Sequence, residues 1–458
     1  MKRRIGIVQA TALNMIDMVG IGPFIVMSGV ISAMGGPQCI AAWIAGALLA
    51  LVDSQVWSEL GARFPDAGGS YAFLRRTFDH LRFRTLYTGE LNAGKAMSFL
   101  FIWQTMFQAS LVVASAAIGI ANYVEYLLHP NVIPPEARTW ESRMIGAAAV
   151  VLVVIALYRK IETVGKLSVL MWVAVLGTMM WIIVAGITHF NPAFAFTYPA
   201  GAWSFDASWF TGLGNAMQNT VYAFLGYYNV CHLGSEITKP EKNIPRSMLI
   251  SILGIAVLYC AMQLSVLGIM PWQEAAQHKH LMSLMIEYCY GSTAAQVMTV
   301  LILFVAFTSL FAVVLGYSRI PYAAAQDGNF FSVFALTHPE KDFPHISLLV
   351  FGALSVVLSI AFNNIKDIVA MILTMRILVQ FVGQSIGLLL YRRHAGADSF
   401  PYRMLLYPLP VLLNIAIWLW LFSSRASESI IPAFILMAAG LGVYIIRRIV
   451  EERRLTSI

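Results

Sequence analysis

Charge is scarce in this 458-residue chain. Asp, Glu, Lys and Arg make up 12% of it, against 59% hydrophobic residues and a mean hydropathy of +0.72. Soluble globular chains carry about 25% charged residues, so a water-soluble domain of this size is excluded. Cysteine is also rare. Cys39, Cys231, Cys260 and Cys289 are widely scattered; no C-x-x-C pair exists to hold a metal or run redox chemistry, which leaves them as packing residues. Long polar stretches are few, the longest near 59–93, followed by 271–291 and 319–345. No soluble domain therefore interrupts the apolar chain. The apolar segments hold no clustered His/Asp/Glu and no Ser/His/Asp set, so no covalent catalysis, resident metal or cofactor is expected. A nucleotide loop is nearly spelled by Gly89-Glu90-Leu91-Asn92-Ala93-Gly94-Lys95-Ala96. Ala96 stands where a magnesium-binding Ser or Thr is needed, and no strand is expected before it.

The chain does contain apolar runs near 8–33, 38–58, 94–127, 143–159, 164–189, 209–233, 247–270, 292–317, 346–362, 364–391, 406–424 and 429–447. Each is about long enough for a helix to cross roughly 30 Å of hydrocarbon. The runs are continuous rather than alternating, which argues for helices and against a lipid-facing barrel. The expectation is an all-α membrane protein of twelve transmembrane helices. Both termini then lie on one face, where 24 of the 30 Lys and Arg residues fall; five lie on the other and Arg376 within a span. The positive-inside rule puts both termini in the cytoplasm of a multi-pass cell-membrane protein. The net charge of +7 follows from such topology signals and from contact with anionic lipid, with no nucleic-acid partner. Lys2-Arg3-Arg4 precedes an apolar run too long for a signal peptide, with no small-residue cleavage pattern after it, so this run is read as the first span.

Two spans carry helix-weakening residues near their middles: Gly20-Ile21-Gly22-Pro23 in the first and Leu225-Gly226-Tyr227 in the sixth. A break frees backbone N–H and C=O groups that lipid cannot satisfy, so it persists where protein, water or a solute supplies partners. Spans one to five (1–190) and six to ten (205–392) overlay with their breaks in register, and 400–458 adds two helices. This is the pattern of a five-plus-five inverted repeat within one membrane domain, 1–458, as in LeuT-like transporters.

Four motifs make the chain resemble the amino acid–polyamine–organocation transporters over nearly its whole length. Val19-Gly20-Ile21-Gly22-Pro23-Phe24 is similar to that family's first-helix G-S-G-I-F. Glu59-Leu60-Gly61, Phe64-Pro65 and Ala67-Gly68-Gly69-Ser70-Tyr71 resemble its E-L-G…P-x-A-G-G-x-Y stretch. Glu236, Pro240 and Asn243-Ile244-Pro245-Arg246 resemble its E-x-x-x-P-x-x-N-x-P-R. Ser318-Arg319, Ala325-Gln326-Asp327-Gly328 and Tyr407-Pro408 resemble later landmarks. Ala223-Phe224-Leu225-Gly226-Tyr227 and Thr337-His338-Pro339 are nearest to the L-type and heteromeric amino acid exchangers. The loop 128–142 lacks the cysteine by which animal members of that group link to a glycoprotein, so no disulfide-linked partner is expected.

The first break leaves amides at the positive end of a half-helix, where a carboxylate fits. The resemblance implies the backbone at Ile21 and Gly22, beside Gly20 in the break, for the substrate carboxylate, and carbonyls of helix one and of Ala223–Gly226 (Phe224 and Leu225 included) for its ammonium. It also implies Tyr227 as an aromatic lid; packing of Phe224, Tyr227 and Tyr228 is the alternative. Pro23 lacks an N–H that the family offers, and Leu225 replaces a common glycine, which suggests a smaller pocket. Asp17, Asp53 and Arg376 would each cost roughly 2.5–3.5 kcal/mol facing lipid, so they face the bundle or water. An Asp17–Arg376 pair is expected, with two kinds of role open: a structural ion pair or a neutral Asp satisfied by hydrogen bonds, or else a proton-titrating carboxylate or an arginine that meets the substrate. Thr308 and Ser309, with carbonyls of Ile16 and Val19, resemble a sodium site of the wider fold, although such hydroxyls also bond their own helix. In proton-coupled relatives a lysine takes the place near Val173–Leu176, and here Lys166 lies about two turns earlier. His232 is either a proton relay or a hydrogen-bonded core histidine.

The expected function is alternating-access transport of a small amino acid or related amine. Sodium or proton coupling is possible, and sodium-independent exchange is preferred. A channel or substrate-sensing receptor on the same scaffold is the alternative.

Overall fold

A computed structural model describes residues 5–66, 68–85, 89–128, 139–158, 164–340, 343–363, 365–424 and 427–456; within these, the side chains at 84, 85, 89, 90, 164–173, 427–429 and 452–456 are not described. Lys2-Arg3-Arg4, Ala67, most of the loop 128–142, and the side chains of Lys166 and Val173 lie outside that set.

The described chain is helical almost throughout. In order come α1 (Ile7–Met18), α2 (Gly22–Met34), α3 (Ile40–Arg63), α4 (Ser70–Thr77), α5 (Ala93–Leu128), α6 (Trp140–Leu157), α7 (Val164–Thr188), α8 (Pro192–Ala195), α9 (Ala207–Phe224) and α10 (Asn229–His232). There follow α11 (Pro240–Ile269), α12 (Trp272–Ala275), α13 (Leu281–Tyr290), α14 (Ser292–Tyr317), α15 (Arg319–Gln326), α16 (His345–Ala361), α17 (Ile365–Arg376), α18 (Gly383–Ala395), α19 (Leu409–Ser423) and α20 (Ser427–Thr456). Among the described residues, six helical stretches are long and apolar enough to cross a membrane, seven when the bent pair α1 and α2 counts as one. Helices stand at the other expected spans too, but Ala174–Thr188, α16 and α19 are shorter apolar helices, α9 stops at the second break, and α17 reaches α18 through a π-helical turn, Ile377–Val382.

One correction to an all-helical reading is a two-stranded antiparallel ribbon, β1 (Arg82–Thr85) with β2 (Gly89–Asn92), in the longest polar stretch. A strand is therefore present at the near-miss nucleotide motif, contrary to expectation. It forms the motif's first half and runs directly into α5, so no loop remains to cradle a phosphate. A Cβ on Gly94 would sit 2.1 Å from the Arg75 carbonyl oxygen.

Local sequence explains the joints. Pro23 lies in the first turn of α2, where its missing N–H has no partner to lose. Gly35 ends that helix at φ +67°, a left-handed cap whose N–H reaches the Ile31 carbonyl. Pro240 opens α11, and Asn243 holds the Thr238 carbonyl just before it. The second motif turns out to be an anchor. Glu59 is fully buried, pairs with Arg392 at 2.9 Å and accepts the Met404 N–H at 3.0 Å. The Arg392 guanidinium also lies 3.7 Å from the Tyr407 ring centroid, which ties α3, α18 and the Tyr407-Pro408 landmark together.

The tightest aromatic packing surrounds the breaks. Trp57 stacks on Tyr228 at 4.3 Å, and Phe381 on Trp418 at 4.0 Å. Trp43, Phe224 and Tyr259 form a second buried group.

Candidate functional site

The first break is Val19-Gly20-Ile21, across which the helix axis turns by 56°. The Val19 N–H still closes α1 on Met15, and the Phe24 N–H bonds the Ile21 carbonyl at 3.0 Å. Between them, the amides of Gly20, Ile21 and Gly22 donate to no acceptor among the described residues. They sit at the N-terminus of the 13-residue α2, where the helix dipole adds roughly half a positive charge.

The second break covers Leu225–Tyr228. Gly226 takes φ +117°, and a Cβ there would meet the Asp17 carboxylate and backbone at 2.8 Å. Glycine is thus required twice, for conformation and for closeness to α1. Two polar side chains join the breaks. Asn14 of α1 accepts the Val230 N–H at 2.8 Å, capping α10. The Tyr259 hydroxyl of α11, completely buried, is shared between the Met18 carbonyl at 2.7 Å and the Ala223 carbonyl at 3.1 Å. Both carbonyls end a half-helix, and one donor holds the two ends together.

A cavity of about 60 Å³ lies between the breaks. Its walls include Gly20, Ile21 and Gly22 from the first break, Ala223, Leu225, Gly226 and Tyr228 from the second, and Ser309 from α14. Asp17, Tyr222, Tyr317 and Arg376 complete its polar lining. Ligand pockets for drug-sized molecules are roughly 300–1,000 Å³, so this one suits a small solute. Tyr222 is fixed by Ser115 at 2.6 Å. The Ser309 hydroxyl faces Gly20, where a Cβ would come within 2.5 Å of it. Arg376 is 2% exposed and gives its guanidinium to the hydroxyls of Tyr228 and Tyr317, the latter at 2.6 Å. Asp17 shares the cavity, but no ion pair with Arg376 within 4.0 Å is formed; the expected pair is replaced by the tyrosine contacts.

Several expected site residues lie elsewhere. Tyr227 and Phe224 are not cavity walls. Tyr227 turns outward to donate to Asp53, and Phe224 packs on Trp43 and Tyr259. At the Gly226 kink Tyr228 faces this cavity and Tyr227 does not, the arrangement the packing alternative for Tyr227 describes. Asp53 is buried in a saturated cluster with Tyr227, Asn414 at 2.7 Å and Trp418 at 3.3 Å. Thr308 bonds the Val305 carbonyl of its own helix at 2.7 Å, which leaves Ser309 as the hydroxyl at the break. Ile16 is exposed and Val19 buried. The His232 ring packs over Gly69 and beside Trp57. Tyr259, Asn14, Tyr222 and Tyr317 were missed. Single tyrosines and asparagines in apolar helices carry no local motif by which the sequence could mark them.

A second, polar cavity of about 360 Å³ lies between α2, α5, α9 and the start of α17, lined by Ser28, Ser32, Asn122, Asn219 and Lys366 among others.

The profile of the amino acid permease family matches residues 5–444. The mouse protein named Asc-type amino acid transporter 1 is 26% identical over 365 residues, 78% of this chain and 65% of its own length. The chain thus spans about two thirds of that relative. Two Bacillus subtilis proteins align more fully. The branched-chain amino acid permease BcaP is 21% identical across 97% of this chain and 92% of its own, and the methylthioribose transporter 22% identical across 96% and 92%. These relatives are permeases and transporters, not enzymes.

Proposed function

This chain belongs to the amino acid permease family, and we propose that it is a secondary transporter of amino acids working by alternating access. The carrying observation is the run of three unpartnered amides, Gly20, Ile21 and Gly22, opening a half-helix onto the cavity. A carboxylate there gains the helix dipole and N–H donors together. The Asp17 carboxylate and the carbonyls ending α1 and α9 suit the ammonium. Twelve spans in a five-plus-five repeat, with both termini in the cytoplasm, would let the bundle containing the two breaks rock against the remainder.

Sodium-independent exchange is the preferred energetics. It is supported by the resemblance to the L-type exchangers and by the commonness of hydroxyls that bond their own helix, as Thr308 does. Counterflow of a radiolabelled amino acid panel into proteoliposomes, with and without sodium and a pH gradient, tests this reading. Saturable exchange of at least one amino acid, lost in Gly22→Leu protein that still folds, is expected. Binding without flux, or equal binding of amines lacking the carboxylate, would sink it. A sodium requirement that disappears in Thr308→Ala would overturn the energetic preference alone.

A further inference from the structure

Buried charges in this bundle generally have their counter-groups. Glu59 has Arg392 and the Met404 amide; Asp53 has three side-chain donors. Arg376 differs. Its two partners are tyrosine hydroxyls, which accept hydrogen bonds but carry no charge, and its Nε atom is buried without a partner. Among the described residues no carboxylate oxygen lies within 4.0 Å of it. The face of Tyr317, 6.0 Å away, adds only a weak cation–π attraction. A guanidinium removed from water without a directly paired anion is costly; Asp17 shares the cavity but acts on Arg376 only from beyond 4.0 Å, and this guanidinium is itself a wall of the solute cavity.

The cavity therefore presents three charged features: the amide-rich N-terminus of α2, the Arg376 guanidinium, and the Asp17 carboxylate beside Gly226. A zwitterion with an uncharged side chain, its carboxylate on the amides and its ammonium drawing on Asp17, places no anion in contact with Arg376. We infer that the solute carries a second carboxylate, received by Arg376 between Tyr228 and Tyr317, so the substrate class is a short aminodicarboxylate such as aspartate or glutamate. This inference rests on the proposed transport function and names the substrate class of that same site. Asp17 matches the single ammonium, and the two positive features match the two carboxylates. Arginine suits the distal contact because its planar fork pairs bidentately with a carboxylate. The small cavity excludes bulkier acids.

The near-isosteric pairs aspartate/asparagine and glutamate/glutamine isolate the second charge. In proteoliposomes holding the full-length protein, the efficiency of counterflow is measured for each of these and for alanine. Wild-type protein is expected to prefer aspartate to asparagine at least about tenfold, the scale of one hydrogen-bonded charge. Arg376→Gln should bring that ratio to about one; size-exclusion profile and thermal midpoint report whether the variant folds. If it does not, Tyr317→Phe, which loosens one contact to the guanidinium, should narrow the ratio, and the wild-type ratio stands as a test without any variant. Wild-type exchange of asparagine or alanine at or above that of aspartate overturns the inference and leaves amino acid transport intact. Exchange of other amino acids but of none of these five likewise overturns the inference alone, and exchange of no amino acid at all overturns both.

Discussion

Gly226 and Tyr259 do most to define the site at the scale of single residues. Gly226 lies at φ +117° against Asp17, so Gly226→Ala meets two penalties. An L side chain there costs about 1–2 kcal/mol for conformation alone, and its Cβ pushes α1 away from the second break. Uptake is expected to vanish while the protein remains purifiable at a lowered melting temperature; normal uptake would mean that the close approach has no functional role. Tyr259→Phe removes the hydroxyl shared by the Met18 and Ala223 carbonyls. Leaving buried carbonyls unpaired costs about 1–3 kcal/mol. A fall in thermal midpoint together with weakened substrate affinity is expected, since both carbonyls end half-helices at the cavity.

Among the elements, α9 illustrates how an exposed terminus is set by the residue that caps it, Asp206. Asp206 accepts the Trp209 N–H at 2.8 Å and the Ser208 hydroxyl at 2.7 Å. The Ser208 hydroxyl, then the Trp209 amide, pull its carboxyl below the usual carboxylate range. A depressed folded-state value contributes stability above the unfolded-state value, and that stability is lost as pH falls through the folded one. Asp206→Ala should accordingly lower the thermal midpoint at neutral pH, and the difference from wild type should close in acid; a gap independent of pH would assign the loss to something other than the carboxylate. The joint between α3, the second break and α19 is different in kind, because Asp53 is buried and saturated. Asp53→Ala takes the acceptor from Tyr227 and Trp418 and from one N–H of Asn414, whose other bond goes to Ser385, and each buried donor left unpaired costs about 1–3 kcal/mol. Purified yield and melting temperature should both drop, whereas an unaltered midpoint would show that the cluster is not a structural joint.

Over the whole molecule, the segments that meet at one end are those rich in basic residues. Ile5 pairs with Glu236 and Thr238 through backbone bonds of 3.0 Å, and the Glu59–Arg392 anchor adds the last turns of α18. Lys242 and Lys366, both exposed, belong to opposite faces in the twelve-span topology. In a cysteine-free background, an impermeant maleimide applied to intact cells should label Lys366→Cys and not Lys242→Cys. Reversed labelling would invert the orientation.

Composition and hydropathy alone determined that this is a multi-pass helical membrane protein, because the backbone must satisfy its own hydrogen bonds in lipid and only long apolar runs can do so as helices. The two breaks were legible for a related reason: glycine and proline act on the local backbone, wherever the helix finally packs. The family motifs were legible too, though not their use; Glu59 reads as a loop signature in sequence and is a buried anchor in space. Which side chains face the cavity was decided by tertiary structure. The kink at Gly226 turns Tyr228 inward and Tyr227 towards Asp53, a choice that two adjacent tyrosines do not encode. Arg376 finds tyrosines rather than Asp17 because helices distant in sequence set its neighbours. Tyr259 joins two carbonyls separated by more than two hundred residues, and no local pattern can anticipate a contact that exists only once the bundle has packed.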